Sequence, residues 1–366
     1  MNKTKKKWIT TAMAFLLALS VCVPAFAAAP AKSEVQKEAV AAAAYLEQSG
    51  LNSFTADSSR DFLLFLRAGA DVSAYKGTYL QSVKDKLNET GGRLGSMQLF
   101  ANILLCLDAL GEDVTDFAGF DLPALYAETD PAAPDYNNPY YYKEALESAA
   151  LFVDDTAFQD GLLDGLLAFY KMGEGMDYYG CSSDNTAYFI AALCAYDGAR
   201  DVSAYLSDAT AVLESHKTQG GYFSNAQYGT EPNADSTALA LMAYAALGNT
   251  EKCAEVYADL AGFKGSGDGI YTYAGTDSAY ATRDALTAFG YYLPLLEDDT
   301  PQDTTAAGSS VNEEQSTTGA AQNSGNEKSP ATGAQNTAVW MAAGAAAVIA
   351  LGGFGLAARR KTQTQK

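Results

Sequence analysis

Three aspartates, Asp184, Asp235 and Asp277, stand at or just before the starts of apolar segments, and tyrosines gather around them at Tyr178, Tyr179, Tyr222, Tyr228, Tyr271, Tyr273 and Tyr280. Carboxyl groups about 5–10 Å apart carry out glycoside cleavage, and tyrosine offers a flat apolar face with a hydrogen-bonding edge. A rim holding both would suit a sugar, a ring-shaped small molecule or a peptide. Its ligand-facing residues would be Tyr179, Tyr222, Tyr228, Tyr273, Asp184, Asp235 and Asp277. Taken singly, each aspartate also reads as a helix N-cap, and the tyrosines as plugs of an apolar interior. Asp154 and Asp155 read as caps of a helix that follows them. The one histidine, His216, falls at the end of an amphipathic helix, where the helix dipole favours a cation. No two Cys or His have the spacing of metal ligands, so neither metal nor cofactor is expected. Cys106, Cys181, Cys194 and Cys253 are spaced widely and irregularly. An even count permits disulfides outside the cell, but the apolar surroundings of Cys106 and Cys194 favour free, buried thiols.

These residues must be positioned by helices, because strand alternation is almost absent between residues 34 and 296. Asp184-Asn185-Thr186-Ala187, Asp235-Ser236-Thr237-Ala238 and Ala281-Thr282 each lead into an apolar run, and the threonines recur 51 and 45 residues apart. Similar apolar helices are expected at about 57–69, 95–110 and 138–152. Between them lie helices with one wet face, at 34–49, 73–89, 113–127, 156–171, 202–217 and 250–263. Six helices buried all round, alternating with six amphipathic ones, predict an all-α fold: an (α/α)6 toroid, a double-ring helical barrel over residues 28–296. An open solenoid is the alternative, and six pairs favour closure. The glycines of Thr90-Gly91-Gly92, Gly175-Met176, Gln219-Gly220-Gly221-Tyr222 and Gly267-Asp268-Gly269 are expected to end the outer helices in left-handed turns.

The Gln-x-x-Gly-Gly-aromatic turn followed by Asp-x-Thr-Ala and an apolar helix resembles the repeats of the prenyltransferase/squalene-cyclase toroid superfamily, over roughly residues 34–296. The resemblance implies a fold that hosts several chemistries, not one function. Prenyltransferases of that group use a zinc held partly by histidine, and the only histidine here is His216. The cyclase acid motif is approached by Val153-Asp154-Asp155-Thr156-Ala157, but without its first acid and before an outer helix. Gly180-Cys181-Ser182-Ser183-Asp184 places a cysteine where complement-like proteins form a thioester, yet Asp184 stands where glutamine is required. With these signatures missing, a binding or adhesion module is the leading expectation. An extracellular carbohydrate-active enzyme using rim carboxylates is the alternative, and a terpenoid enzyme a more distant one.

The termini carry addresses. Lys3, Lys5, Lys6 and Lys7, an apolar run to Val23 and Ala25-Phe26-Ala27 form a signal peptide over residues 1–27. Residues 297–332, rich in Thr, Ser, Gly and Gln, read as a disordered wall-spanning linker. Ser329-Pro330-Ala331-Thr332-Gly333, the apolar span 337–358 and the basic Arg359-Arg360-Lys361 resemble a sortase sorting signal over 329–366, with Ser in place of the usual leading Leu. That resemblance implies cleavage after Thr332 and attachment to peptidoglycan, with membrane contact only through the sorting segment beforehand. A plain membrane anchor is the alternative, and both put the domain outside the cell. Removing the four basic residues of each terminal segment leaves 16 Lys and Arg against 44 Asp and Glu, a net of −28 for residues 28–332. Such a surface repels nucleic acid and anionic lipid.

Overall fold

The structure is a computed structural model and describes residues 29–131 and 138–299. The signal peptide, nearly all of the linker and the sorting signal lie outside the described residues. Among the described residues no helix is long and apolar enough to cross a membrane. The described residues form twelve α-helices: α1 (Lys32–Gln48), α2 (Ser59–Arg67), α3 (Ser73–Thr90), α4 (Met97–Ala109), α5 (Leu122–Ala127), α6 (Tyr142–Phe152), α7 (Thr156–Leu167), α8 (Ser183–Ala195), α9 (Ser203–Glu214), α10 (Ala234–Ala246), α11 (Thr250–Leu260) and α12 (Ala279–Tyr292). The all-α class therefore holds.

Burial alternates along the chain as hydropathy dictates. Helix α3 buries only Tyr79, Val83 and Leu87, one stripe at four-residue spacing, and α9 only Ala209, Val212 and Leu213. By contrast α8 buries every residue from Asn185 to Leu193, and α10 every residue from Ser236 to Ala245. The even-numbered helices meet in sequence order: α2 packs on α4, α4 on α6, α6 on α8, α8 on α10 and α10 on α12, and α12 returns to α2. Helices α5, α7, α9 and α11 each pack on the even-numbered helix just before them, and α1 packs on α12. Their buried residues belong to one continuous apolar core.

Four of the even-numbered helices start on a polar side chain that accepts from an otherwise orphaned backbone N–H. Ser96, Ser182, Asn233 and Ser278 accept from Leu99, Asn185, Ser236 and Ala281 respectively. Asp155 caps α7 in the same way, accepting from Ala157 and Phe158.

Two expectations about the connections need correction. Of the glycines in the four turns named from the sequence, only Gly91, with φ of 63°, ends a helix in the left-handed conformation. After α7 and α9 the chain instead forms short antiparallel hairpins, β1 (Tyr170–Lys171) with β2 (Gly175–Met176) and β3 (Lys217–Thr218) with β4 (Gly221–Tyr222). A third, β5 (Thr272–Tyr273) with β6 (Thr276–Asp277), precedes α12. Two-residue strands are too short to show alternation, which is why a period-based reading passes over them. Gly221 is needed where β4 meets α10: its φ is +145°, and a Cβ there would stand 2.5 Å from Thr237 Oγ1. The second correction concerns α5, which begins at Leu122 rather than near residue 113. Phe117 and Phe120 exchange backbone hydrogen bonds of 3.1 Å around a turn, and Pro123 lacks the N–H that an interior helical position would use.

Candidate functional site

The helix starts gather the groups able to do chemistry. A cavity of about 160 Å³ is lined by Arg60, Asp61 and Leu64 from α2, Lys143 and Glu144 from α6, Tyr188 from α8, and Tyr280, Arg283, Asp284 and Thr287 from α12. A larger cleft, about 590 Å³, lies elsewhere, along α3 beside Gln81 and Lys86. It holds no buried ionisable group, so the smaller cavity is the better candidate.

The floor of that cavity is ionic. Lys143 and Glu144 are fully buried and paired with each other. Arg67 Nη2 lies 2.5 Å from Glu147 Oε1, joining α2 to α6. The Arg67 guanidinium and the Lys143 ammonium lie over the ring of Tyr291 at 5.5 and 5.3 Å. Burial pulls the Lys143 ammonium below its ordinary pKa, with Glu144 opposing. Burial alone would raise Glu144, but Lys143, Arg60 and Arg67 outweigh it and hold that carboxyl below the usual range. At the side, Arg283 pairs with Asp61 at 3.3 Å, and Arg60 lies over Tyr141 at 5.6 Å.

Asp184, Asp235 and Asp284 form an interacting carboxyl trio. Burial and the charge of Asp184 push Asp235 up to about 6. Burial, then Asp235 and Asp184, raise Asp284 well above the ordinary carboxylate value, and Arg60 and Arg283 offset this only in part. Asp184 accepts from the hydroxyls of Ser224 at 2.6 Å and Ser183 at 3.1 Å. With caps supplied by Ser182 and Asn233, neither Asp184 nor Asp235 is spent as the N-cap that the sequence allowed.

The third predicted aspartate does not join them. Asp277 lies in β6, where it accepts from Ser266 N at 3.0 Å and from the Ser266 hydroxyl at 2.5 Å, fastening a turn. The position that Asp184 holds in α8 and Asp235 in α10 is held in α12 by Tyr280. Of the four predicted tyrosines, Tyr222 is fully buried and cannot face a ligand. Its hydroxyl donates to that of Tyr244 at 3.2 Å, and its ring lies under Lys217. Tyr228 and Tyr273 are exposed, 82% and 58%, and do not line the cavity. Tyr179, 92% exposed, ends a run of rings that begins in the cavity wall. Centroids are separated by 4.6 Å from Tyr188 to Tyr140, 5.4 Å from Tyr140 to Tyr178, and 4.5 Å from Tyr178 to Tyr179.

Sequence reasoning missed Arg60, Tyr140, Lys143, Glu144, Asn185, Tyr188 and Asp284. The usable signal was charge inside segments otherwise apolar enough to be buried, since a buried ionised group needs a partner or a purpose. Asn185 accepts from the Tyr140 hydroxyl at 2.5 Å and donates to the carbonyls of Tyr178 and Gly180.

Among the described residues the four cysteines are free thiols; Cys106 and Cys253 are buried, Cys181 and Cys194 partly so. His216 Nδ1 lies 2.9 Å from the Val212 carbonyl just past the end of α9. Among the described residues no cluster of His, Cys, Asp and Glu is arranged to hold a metal ion. What the cavity offers is dense hydrogen bonding, carboxyls of unlike proton affinity and two tyrosine faces. No protein-family model, no characterised protein and no solved structure matches this chain.

Proposed function

We propose that the helices form an (α/α)6 toroid displayed on the outside of a cell wall, and that its mouth binds a glycan. The return of α12 to α2 supports a closed ring of even-numbered helices. Export and attachment rest on residues 1–27 and on Ser329-Pro330-Ala331-Thr332-Gly333 with the apolar span and basic tail that follow. On this reading a sortase is the processing partner and peptidoglycan the acceptor.

The composition of the cavity carries the ligand assignment. Arg60, Asp61, Lys143, Glu144, Arg283 and Asp284 surround a space flanked by Tyr188 and Tyr280. An isoprenoid there would leave these polar groups desolvated and unmatched. A pyranose ring offers hydroxyls to the charged groups and an apolar face to the tyrosines. The test is binding of the full chain to cello-, chito-, malto- and xylo-oligosaccharides. We expect saturable binding in at least one series, weakened about 10-fold or more by Tyr188→Ala, as for other buried aromatic anchors. Absence of binding in every series would contradict the assignment.

One observation favours a second reading, hydrolysis of the bound glycan. Asp284 holds its proton more tightly than an ordinary aspartate, while Asp184 accepts two serine hydroxyls. A carboxylic acid that donates a proton and a carboxylate that accepts one are what glycoside cleavage uses. Asp284 would protonate the leaving oxygen, and Asp184 would serve the water or the sugar carbon. Appearance of new reducing ends, lost in Asp284→Asn, tests this.

A further inference from the structure

The run of rings leaving the cavity has no evident role in the fold at its outer end. Tyr188 is buried, Tyr140 and Tyr178 are half-buried, and Tyr179 is almost wholly exposed. Tyr179 also has φ of +56°, a left-handed conformation in which Cβ crowds the backbone and which non-glycine residues seldom adopt. A large apolar ring held in solvent on a strained backbone gains nothing from burial. Its loop is nonetheless fixed from several sides. Asn185 donates to the carbonyls on both sides of Tyr179, those of Tyr178 and Gly180. The Gly180 N–H donates to Asp177 at 3.1 Å, and Asn225 donates to the Cys181 carbonyl at 2.6 Å. The backbone that carries the ring is thus held in place, an arrangement that lowers the entropy cost of binding.

We propose that Tyr140, Tyr178 and Tyr179 extend the mouth into a track of outer subsites for a linear oligosaccharide, whose terminal sugar occupies the cavity beside Tyr188 and whose next sugars lie along the run toward Tyr179. This rests on the glycan reading of the mouth and adds chain length as the property recognised. Successive aromatic faces suit consecutive pyranose rings, and the hydroxyls of a chain crossing half-buried tyrosines remain in water.

The experiment measures affinity for length-matched cello-, chito-, malto- and xylo-oligosaccharides from mono- to pentasaccharide, with the full chain and two variants. In the series that binds, affinity should rise with length. Tyr179→Ala should weaken the pentasaccharide about 3- to 10-fold, the range of a single aromatic contact, and leave the disaccharide unchanged. Tyr179→Gly should show the same binding loss with undiminished thermal stability, because glycine accepts a positive φ without strain. Equal affinity at all lengths, or equal loss for di- and pentasaccharide, overturns the track while leaving the mouth as a sugar site. A fall in melting temperature for Tyr179→Gly also overturns it, by assigning Tyr179 to the fold. If no sugar of any length binds, the glycan reading fails and the track with it.

Discussion

The backbone N–H of Tyr222 donates to Thr237 Oγ1 at 3.0 Å, and that hydroxyl donates in turn to the carbonyl of Asn233 at 2.7 Å. One side chain therefore ties hairpin β3–β4 to the first turn of α10. Thr282 accepts the N–H of Tyr271 at 3.0 Å in the same manner before α12. Thr237→Val should leave the buried Tyr222 N–H unpaired and cost about 1–3 kcal/mol. Thr237→Ser should recover most of that, and chemical denaturation compares the two. A valine variant as stable as the parent would show that the recurrent threonine has no fastening role.

Gly221 stands against the same hydroxyl. Gly221→Ala adds a Cβ 2.5 Å from Thr237 Oγ1 at a φ of +145°. Steric overlap and backbone strain together should destabilise by more than about 2 kcal/mol. Gly220, with nothing within 4 Å of its added Cβ, is the control with strain alone, so Gly220→Ala should cost less. Equal melting temperatures for the two variants would contradict the packing argument.

Lys143 and Glu144 are both fully buried, and each compensates the other. Lys143→Met should cost about 3–5 kcal/mol, because Glu144 is left as a buried charge without its nearest partner. The double variant Lys143→Met/Glu144→Leu should be more stable than the single one. A double variant no better than Lys143→Met would show that the loss comes from packing rather than charge.

Proton binding by the raised aspartates sets a pH dependence with a definite sign. Asp235, at about 6, and Asp284, raised well above its ordinary value, bind protons more tightly folded than unfolded. Where the native state holds more protons, stability falls as pH rises. These two groups should therefore contribute a loss of stability between pH 4 and pH 7, with Asp184, Asp61 and Glu144 against Arg60, Arg283 and Lys143 as the surrounding charges. Asp235→Asn/Asp284→Asn should be stabilised relative to the parent at pH 7 and little changed at pH 4. The same difference at both pH values would sink this prediction.

Attachment to the wall is tested separately from the fold. Thr332→Pro should abolish covalent attachment while leaving secretion intact. Protein that still resists hot detergent extraction from purified walls would rule out the sorting assignment.

Much of the helical architecture was legible because burial writes itself into hydropathy: α8 and α10 are apolar all round, whereas α3 and α9 carry one stripe. The recurrent threonine was legible as a period but not as a fastener, since its partner lies in a two-residue strand. The site was only partly legible. Asp184 and Asp235 lie two residues before their threonines, whereas Asp277 lies five before Thr282, and that difference in register places it in a hairpin. Tyr222 and Tyr179 look alike in sequence, each flanking a glycine, but one faces the core and the other solvent. The link from Tyr140 to Asn185 spans 45 residues and depends on how α6 and α8 pack.

The most direct test of the proposal that the cavity binds a glycan is the crystal structure of the protein with its best-binding oligosaccharide. A sugar ring is expected between Tyr188 and Tyr280, with hydroxyls in hydrogen-bond reach of Arg60 and Asp284. A sugar seated instead in the cleft beside Gln81 and Lys86, with the cavity empty, would contradict it.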